Sequence, residues 1–348
     1  MKWRGPQSGL SLVELMVAIS IGLVIVLGIT QVFVSSKRGY RVQESAIRLQ
    51  DNGRVAVAQI SSALRMADFW GGISANAIGG NPNVSGQSGS SCTATWILDW
   101  EQAVHGYDGV GADAPLDCIP NTNYVANSDV LVVRYTDSRE FLTDADVDDM
   151  DADDPEILLR VASGRNGFMF NRNGADSNSW ANAKAQIARQ DPASDDGNGV
   201  ANYPYRLTVY FLRPCSTQDT CSAASDGGRP IPTLVALELT ASGTSMQLRQ
   251  LPLVEGVEQM QIEYGVDFDN DQIVDRYQSA SDLVAADWPR VIACRIGLMV
   301  RGDELDSFAD AATYTLPGGF NFTATGTAQR YQRRPLVVDL QIRNRIRN

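Results

Sequence analysis

The chain has 348 residues, 44% of them hydrophobic, enough for a sizeable buried core and too apolar for a disordered polymer. Its 41 Asp and Glu against 29 Lys and Arg give a formal net charge of −12, which opposes nonspecific binding to nucleic acid, and no nucleic-acid partner is expected. A single histidine argues against a His-based metal centre or triad.

From Leu10 to Val34 the sequence reads LSLVELMVAISIGLVIVLGITQVFV, with Glu14 as the only formal charge. At 1.5 Å per residue this run makes roughly 37 Å of helix, long enough to cross a bilayer with some tilt. A carboxylate at the middle of a membrane helix costs roughly 2.5–3.5 kcal/mol on insertion scales, which marks Glu14 as a functional candidate. The bland alternative is a side chain that snorkels to the nearby interface of an ordinary anchor. Lys2 and Arg4 precede the run and Lys37 and Arg38 follow it, so charge bias alone leaves the orientation open. No small-residue cleavage site of the secretory kind follows Val34.

The stretch Gly9-Leu10-Ser11-Leu12-Val13-Glu14-Leu15 resembles the class III signal of type IV prepilins. Leu10 stands where phenylalanine is commoner in that family. The resemblance implies a leader over residues 1–9, a prepilin peptidase cut between Gly9 and Leu10, and methylation of the new amino terminus on Leu10. Residues 10–34 would span the inner membrane and later enter the filament core. Glu14 would become the fifth mature residue, neutralised by the terminal amine of a neighbouring subunit as water is excluded, so that one axial register is favoured.

Beyond the apolar run, residues 35–66 read as an amphipathic continuation of the helix. Val42, Ala46, Leu49, Gly53, Ala56, Ile60 and Ala63 recur at three- and four-residue intervals, with most charges on other faces. A helix from Leu10 to about Met66 would measure roughly 85 Å. Gly71-Gly72 is the expected stop, with Phe69 and Trp70 as packing anchors, and Asn52-Gly53 marks a candidate earlier bend.

Residues 67–348 change character. Glycine-, serine- and asparagine-rich stretches alternate with runs that read as strands: TWIL, DVLVVRY, EILLRVA, YRLTVYFL, TLVALEL, EQMQIEYGV, RVIACRIGLMV and PLVVDLQIRNRI. Without regular helical alternation the pattern favours an antiparallel α+β arrangement. LPLVEGVEQMQIEYGVDFDNDQIVDRY and the later VVDLQIRNRIRN are similar to stretches of PilW-type minor pilins, and LVEGVEQMQIEY is also similar to the J-type minor pseudopilins of type II secretion. The implied fold is pilin-like: a long N-terminal helix, membrane-spanning in its first half, packed on an antiparallel β-sheet domain. The implied role is assembly of the type IV pilus, by priming or a tip complex, in support of adhesion and twitching motility. Implied partners are prepilin peptidase, other minor pilins, the major pilin and a large pilus-tip adhesin. The implied location is the inner membrane, with a periplasmic domain, and afterwards the extracellular pilus. Alternatives are a minor pseudopilin or a membrane-anchored binding protein or enzyme.

Cysteines occur at 92, 118, 215, 221 and 294. In an oxidising compartment Cys215 with Cys221, flanking STQDT, is the preferred pair, and Cys92 with Cys118 the next, worth roughly 3 kcal/mol of chain entropy. Connectivity stays open at this level. Cys294, in RVIACRIGL, reads as a buried strand residue, and His105 as a loop residue.

Asp267, Asp269, Asp271, the Ile273 carbonyl and Asp275 place oxygens as in the first part of a calcium loop. Gln272 replaces the turn glycine and Gln278 the bidentate glutamate; the competing reading is a solvated acidic hairpin. Calcium is therefore the one cofactor the sequence brings forward, and none is required. The acidic stretch Asp144 to Glu156 reads as a solvated loop, and Arg301-Gly302-Asp303 as a turn. The chain carries no glycine-rich phosphate loop with a lysine, no G-x-S-x-G and no paired-His motif, and it is read as non-enzymatic.

Overall fold

The computed structural model describes residues 9, 11–84, 86, 90–162, 166–188, 199–216, 220–306 and 308–346. Contacts divide the chain into two units, Met1–Arg48 and Leu49–Asn348. Helix α1, Leu12–Met66, begins in the first and ends in the second. It contains no proline, carries Glu14 in its first turn and Arg65 in its last, and so matches the helix dipole at both ends. It stops where Asp68 (φ 62°) and Gly71 (φ 65°) turn left-handed.

Strand β1 is Ile78–Gly80, followed by helix α2, Ala94–Ile97, and strands β2, Val104–Tyr107, and β3, Val130–Thr136. Helix α3, Asp144–Asp149, precedes β4, Ile157–Ala162, and β5, Asn166–Asn171; helix α4, Trp180–Gln186, precedes the long β6, Val200–Arg213. Then come β7, Thr233–Ser242, β8, Ser245–Glu255, β9, Val257–Val266, β10, Arg276–Gln278, and β11, Val291–Leu305. The described strands end with β12, Thr313–Thr315, β13, Asn321–Thr323, and β14, Tyr331–Gln341.

The larger sheet has eight strands along the path β1-β5-β4-β6-β3-β2, with β7 on β6 and β8 on β7. Strand β6 holds it together, because residues 200–204 pair with β4 while 205–213 pair with β3 and β7. Every pairing in it is antiparallel except β1 with β5. The second sheet runs β10-β9-β11-β14, and β12 with β13 forms a separate hairpin.

Alternation along β3 shows where the cores lie. Leu131 and Val133 join one cluster with Leu49, Ala56, Ile60 and Leu64 of α1 and with Met260, Ile262, Ile296 and Leu298 of the second sheet. Val130 and Val132 point the other way, into a cluster with Trp70, Ile97, Leu116 and Phe211. Burial on both faces explains why β3 reads as a continuous apolar run. Each large aliphatic side chain removed from water there contributes about 1.5–3 kcal/mol.

The architecture is the expected α+β arrangement, with a long helix packed by one stripe on antiparallel sheets. Particular expectations need correction. TWIL is not a strand: Thr93 accepts the Trp96 N–H and caps α2. Only the second half of the acidic stretch is a solvated loop, with Asp151 and Asp153 exposed; in the first half Thr143 and Asp146 form a reciprocal cap on α3, and Asp144 pairs at 2.5 Å with the buried Arg160 guanidinium. Arg301-Gly302-Asp303 lies inside β11, where the Arg301 N–H bonds to Gly256 O and its guanidinium stacks 4.3 Å from the Tyr331 ring. PLVVDLQIRNRI is strand only to Gln341 and then turns into a short 3₁₀ helix, Arg343–Arg345. Gly53 makes no bend; α1 continues through it.

Candidate functional site

Gly9 is exposed with open space around it, and Leu10 lies outside the described residues. From Leu12 the chain is helical, and Ser11 O accepts the Leu15 N–H at 3.1 Å. Glu14 is exposed in the first turn, where a carboxylate complements the free N–H groups. Around it the apolar side chains are bare: Val13 is 66% exposed, Val24 68% and Phe33 66%. The hydroxyls of Ser20 and Thr30 donate to Met16 O and Val26 O at 2.8 and 2.7 Å, so they add no unsatisfied donor to the apolar surface. This helix is long and apolar enough to cross a membrane.

The sequence-selected carboxylates lie in the turn from β9 to β10. Asp267 is buried and accepts the N–H groups of Asn270 at 2.6 Å and Gln272 at 2.8 Å. Gln272, at φ 70°, takes the left-handed conformation that glycine supplies at that place in a calcium loop. Asp267, Asp269 and Asp275 offer ligand oxygens that all lie within 4.8 Å of one another. Asp271 stands outside this trio, its Oδ1 accepting the Ile273 N–H at 2.8 Å, and the Ile273 side chain is 66% exposed. The Asp271 N–H pulls the Asp269 carboxyl down, but desolvation and the charges of Asp271, Asp275 and Asp267 outweigh it and hold Asp269 above its usual range. Three crowded carboxylates suit a hard cation.

Cys92 is bonded to Cys118, and Cys215 to Cys221; residues 217–219 between the second pair lie outside the described residues. Cys294 is free and buried in β11, and burial pushes its thiol up to about 12. His105 is a residue of β2, not of a loop. It lies 4.2 Å from the Trp288 ring and 4.8 Å from Tyr107; burial, with help from Arg134, lowers its pKa to about 4.

Two features escaped the sequence reading. Asp129 accepts N–H groups from Gly109 at 3.0 Å and Ile262 at 2.7 Å while its own N–H reaches Met260 O, which ties β3 to β9 and hence one sheet to the other. At the end of α1, the Asn344 amide donates to Ala67 O at 2.9 Å, and Arg345 bridges Asp68, Trp288 O and Val291 O. A cleft of about 880 Å³ opens there, lined by Phe69, Ile73, Glu101 and Pro289 among others.

A bare apolar N-terminal helix with a carboxylate in its first turn, whose later turns are covered by antiparallel sheets, is consistent with a pilin-like architecture. Residues 4–30 match the prokaryotic N-terminal methylation motif, and residues 216–344 match the family model described as type IV pilus-assembly protein W. Together these matches support a type IV pilus minor pilin of the PilW type. No curated protein and no solved structure gives a match. The methylation motif and the apolar helix fit a membrane-anchored pilin that is later assembled into a pilus.

Proposed function

We propose that this chain is a minor pilin that primes assembly of the type IV pilus and acts in a tip complex with other minor pilins and the major pilin. The observation that carries the reading is the bare apolar helix with Glu14 in its first turn, at one end of a chain whose other end matches the pilus-assembly family. Prepilin peptidase removes residues 1–9 and methylates Leu10. The helix leaves the inner membrane for the filament core, and Glu14 pairs with the amine of a neighbour, an attraction that strengthens where water is excluded. The domain faces the periplasm first and the exterior afterwards, beside a large tip adhesin, so adhesion and twitching depend on it indirectly. The protein's work is structural.

Deletion of the gene tests this, with surface pili counted and secreted protein measured in the same cells. Lost pili with intact secretion, restored by the wild-type gene and not by Glu14→Ala, is the expected result. Normal pili with failed secretion would move the chain to the type II pseudopilins, and no change in either would return it to an ordinary anchored protein.

The trio of Asp267, Asp269 and Asp275 favours a second, compatible role: the β9–β10 turn takes calcium, with waters or other oxygens completing the shell. Titration calorimetry with millimolar calcium should give heat for the wild type and none for Asp269→Asn combined with Asp275→Asn. No heat for the wild type removes the calcium reading and leaves the pilin reading standing.

A further inference from the structure

The first turns past the apolar run carry exposed positive charge. Lys37 stands three positions beyond Val34 and Arg41 seven, both exposed, with Tyr40 between them at 70% exposure. Glu44 is the nearest acidic residue along the helix, and it pairs with Arg48 at 2.6 Å. Among the described residues no carboxylate pairs with Lys37 or Arg41.

At 1.5 Å per residue, Lys37 lies about 4.5 Å and Arg41 about 10 Å beyond the end of the apolar run. The headgroup layer adds roughly 5–7 Å to each side of the hydrocarbon core, so Lys37 reaches phosphate depth directly and Arg41 by folding its long stem back. Four residues apart on a helix, the two cations share a face about 6 Å from each other, close enough to meet one headgroup. An exposed tyrosine at the same level is the amphipathic ring that membrane interfaces favour. Arg54 and Arg65, also exposed, follow much further along the helix, beyond that layer.

We propose that Lys37, Tyr40 and Arg41 form a collar that binds the phosphate of anionic phospholipids at the membrane face from which the helix emerges. The proposal rests on the membrane-spanning reading of the apolar run. Its consequence is that the subunit is held at a defined height in the membrane, and that entry into a filament exchanges lipid phosphates for other partners.

The test uses the full chain in nanodiscs of equal phosphatidylcholine and phosphatidylglycerol, with retained lipids counted by native mass spectrometry. The wild type should retain phosphatidylglycerol in preference. Lys37→Gln with Arg41→Gln should lower that preference by about fivefold for each charge removed, the ratio expected for about 1 kcal/mol per basic residue at an anionic surface. Arg54→Gln with Arg65→Gln should leave it unchanged. No preference in the wild type, an unchanged preference in the Lys37/Arg41 variant, or an equal loss in the control pair overturns the proposal. So does a Lys37/Arg41 variant that keeps its lipids but loses crosslinks to neighbouring pilins, which would assign the cations to another subunit's carboxylates. A chain that enters no disc overturns the membrane-spanning reading itself, and is told apart because it retains neither lipid.

Discussion

His105 and Asp129 respond to acid in opposite senses. His105 falls from 6.5 to about 4 because burial, then Arg134, disfavour the imidazolium. The unfolded chain therefore takes up that proton first, and the stability this group contributes is lost as pH drops from about 6.5 to 4. Asp129 rises from 3.8 to about 7 because burial outweighs the two N–H groups it accepts. Here the folded state holds the proton, so the contribution present at low pH is lost as pH climbs from about 4 to 7. Urea midpoints at pH 4, 5.5 and 7.5 should separate the two. Relative to Asp129→Asn the wild type should weaken as pH rises, and relative to His105→Gln it should weaken as pH falls. Neither position was legible in the sequence as a titrating group, since AVHGYDG and NSDVLVV do not reveal that both segments pack against the second sheet.

On the scale of elements, the close fit of α1 to β14 is set by one missing side chain. A Cβ on Gly53 would run into Leu336 Cδ1 and approach Val300 Cγ2 at 3.5 Å, so the glycine lets helix and strand come together. The three- and four-residue spacing in the sequence predicted this buried stripe correctly from Leu49 to Ala63, because a helix repeats every 3.6 residues whatever it packs on. What the spacing lacked was the opposing surface, and Asn52-Gly53 therefore read as a bend. Gly53→Val should destabilise the domain by about 1–3 kcal/mol through overpacking, whereas Gly53→Ala should cost less, since the clashing atom is the end of a flexible side chain and alanine favours helix. Chemical denaturation of both variants checks the order.

For the molecule as a whole, the segment between β1 and β3 has little regular structure of its own and still covers the outer face of the larger sheet. The Cys92–Cys118 bond closes a loop with a sequence separation of 26 there, and both cysteines lie in the same cluster as Ile97, Leu116 and Ile119. Replacing both by serine should cost about 3.5 kcal/mol on a chain-entropy account and lower the melting temperature, with the pilin fold retained. Retention of far-UV circular dichroism alongside a lower midpoint would show that the bond secures this covering segment and does not build the sheets.

Much of what depends on neighbours along the chain was readable without coordinates, although the short capped helices α2 and α3 were not. The 25-residue apolar run, glycine and glutamate five positions apart at its head, and the periodic stripe behind it are local patterns, which is why the helix and its family resemblance emerged together. Strand runs buried on both faces were likewise apparent as unbroken apolar stretches. The tertiary structure alone decided which remote groups meet. Asn344 closes the end of α1 by donating to Ala67 O, 277 positions away, and Asp129 reaches Ile262 across 133. Such contacts satisfy buried polar groups wherever the fold happens to bring a partner, so no spacing rule encodes them. The same holds for the acidic turn, where the sequence supplied the carboxylates and folding brought the oxygens of Asp267, Asp269 and Asp275 within 4.8 Å of one another while turning Asp271 onto the Ile273 N–H.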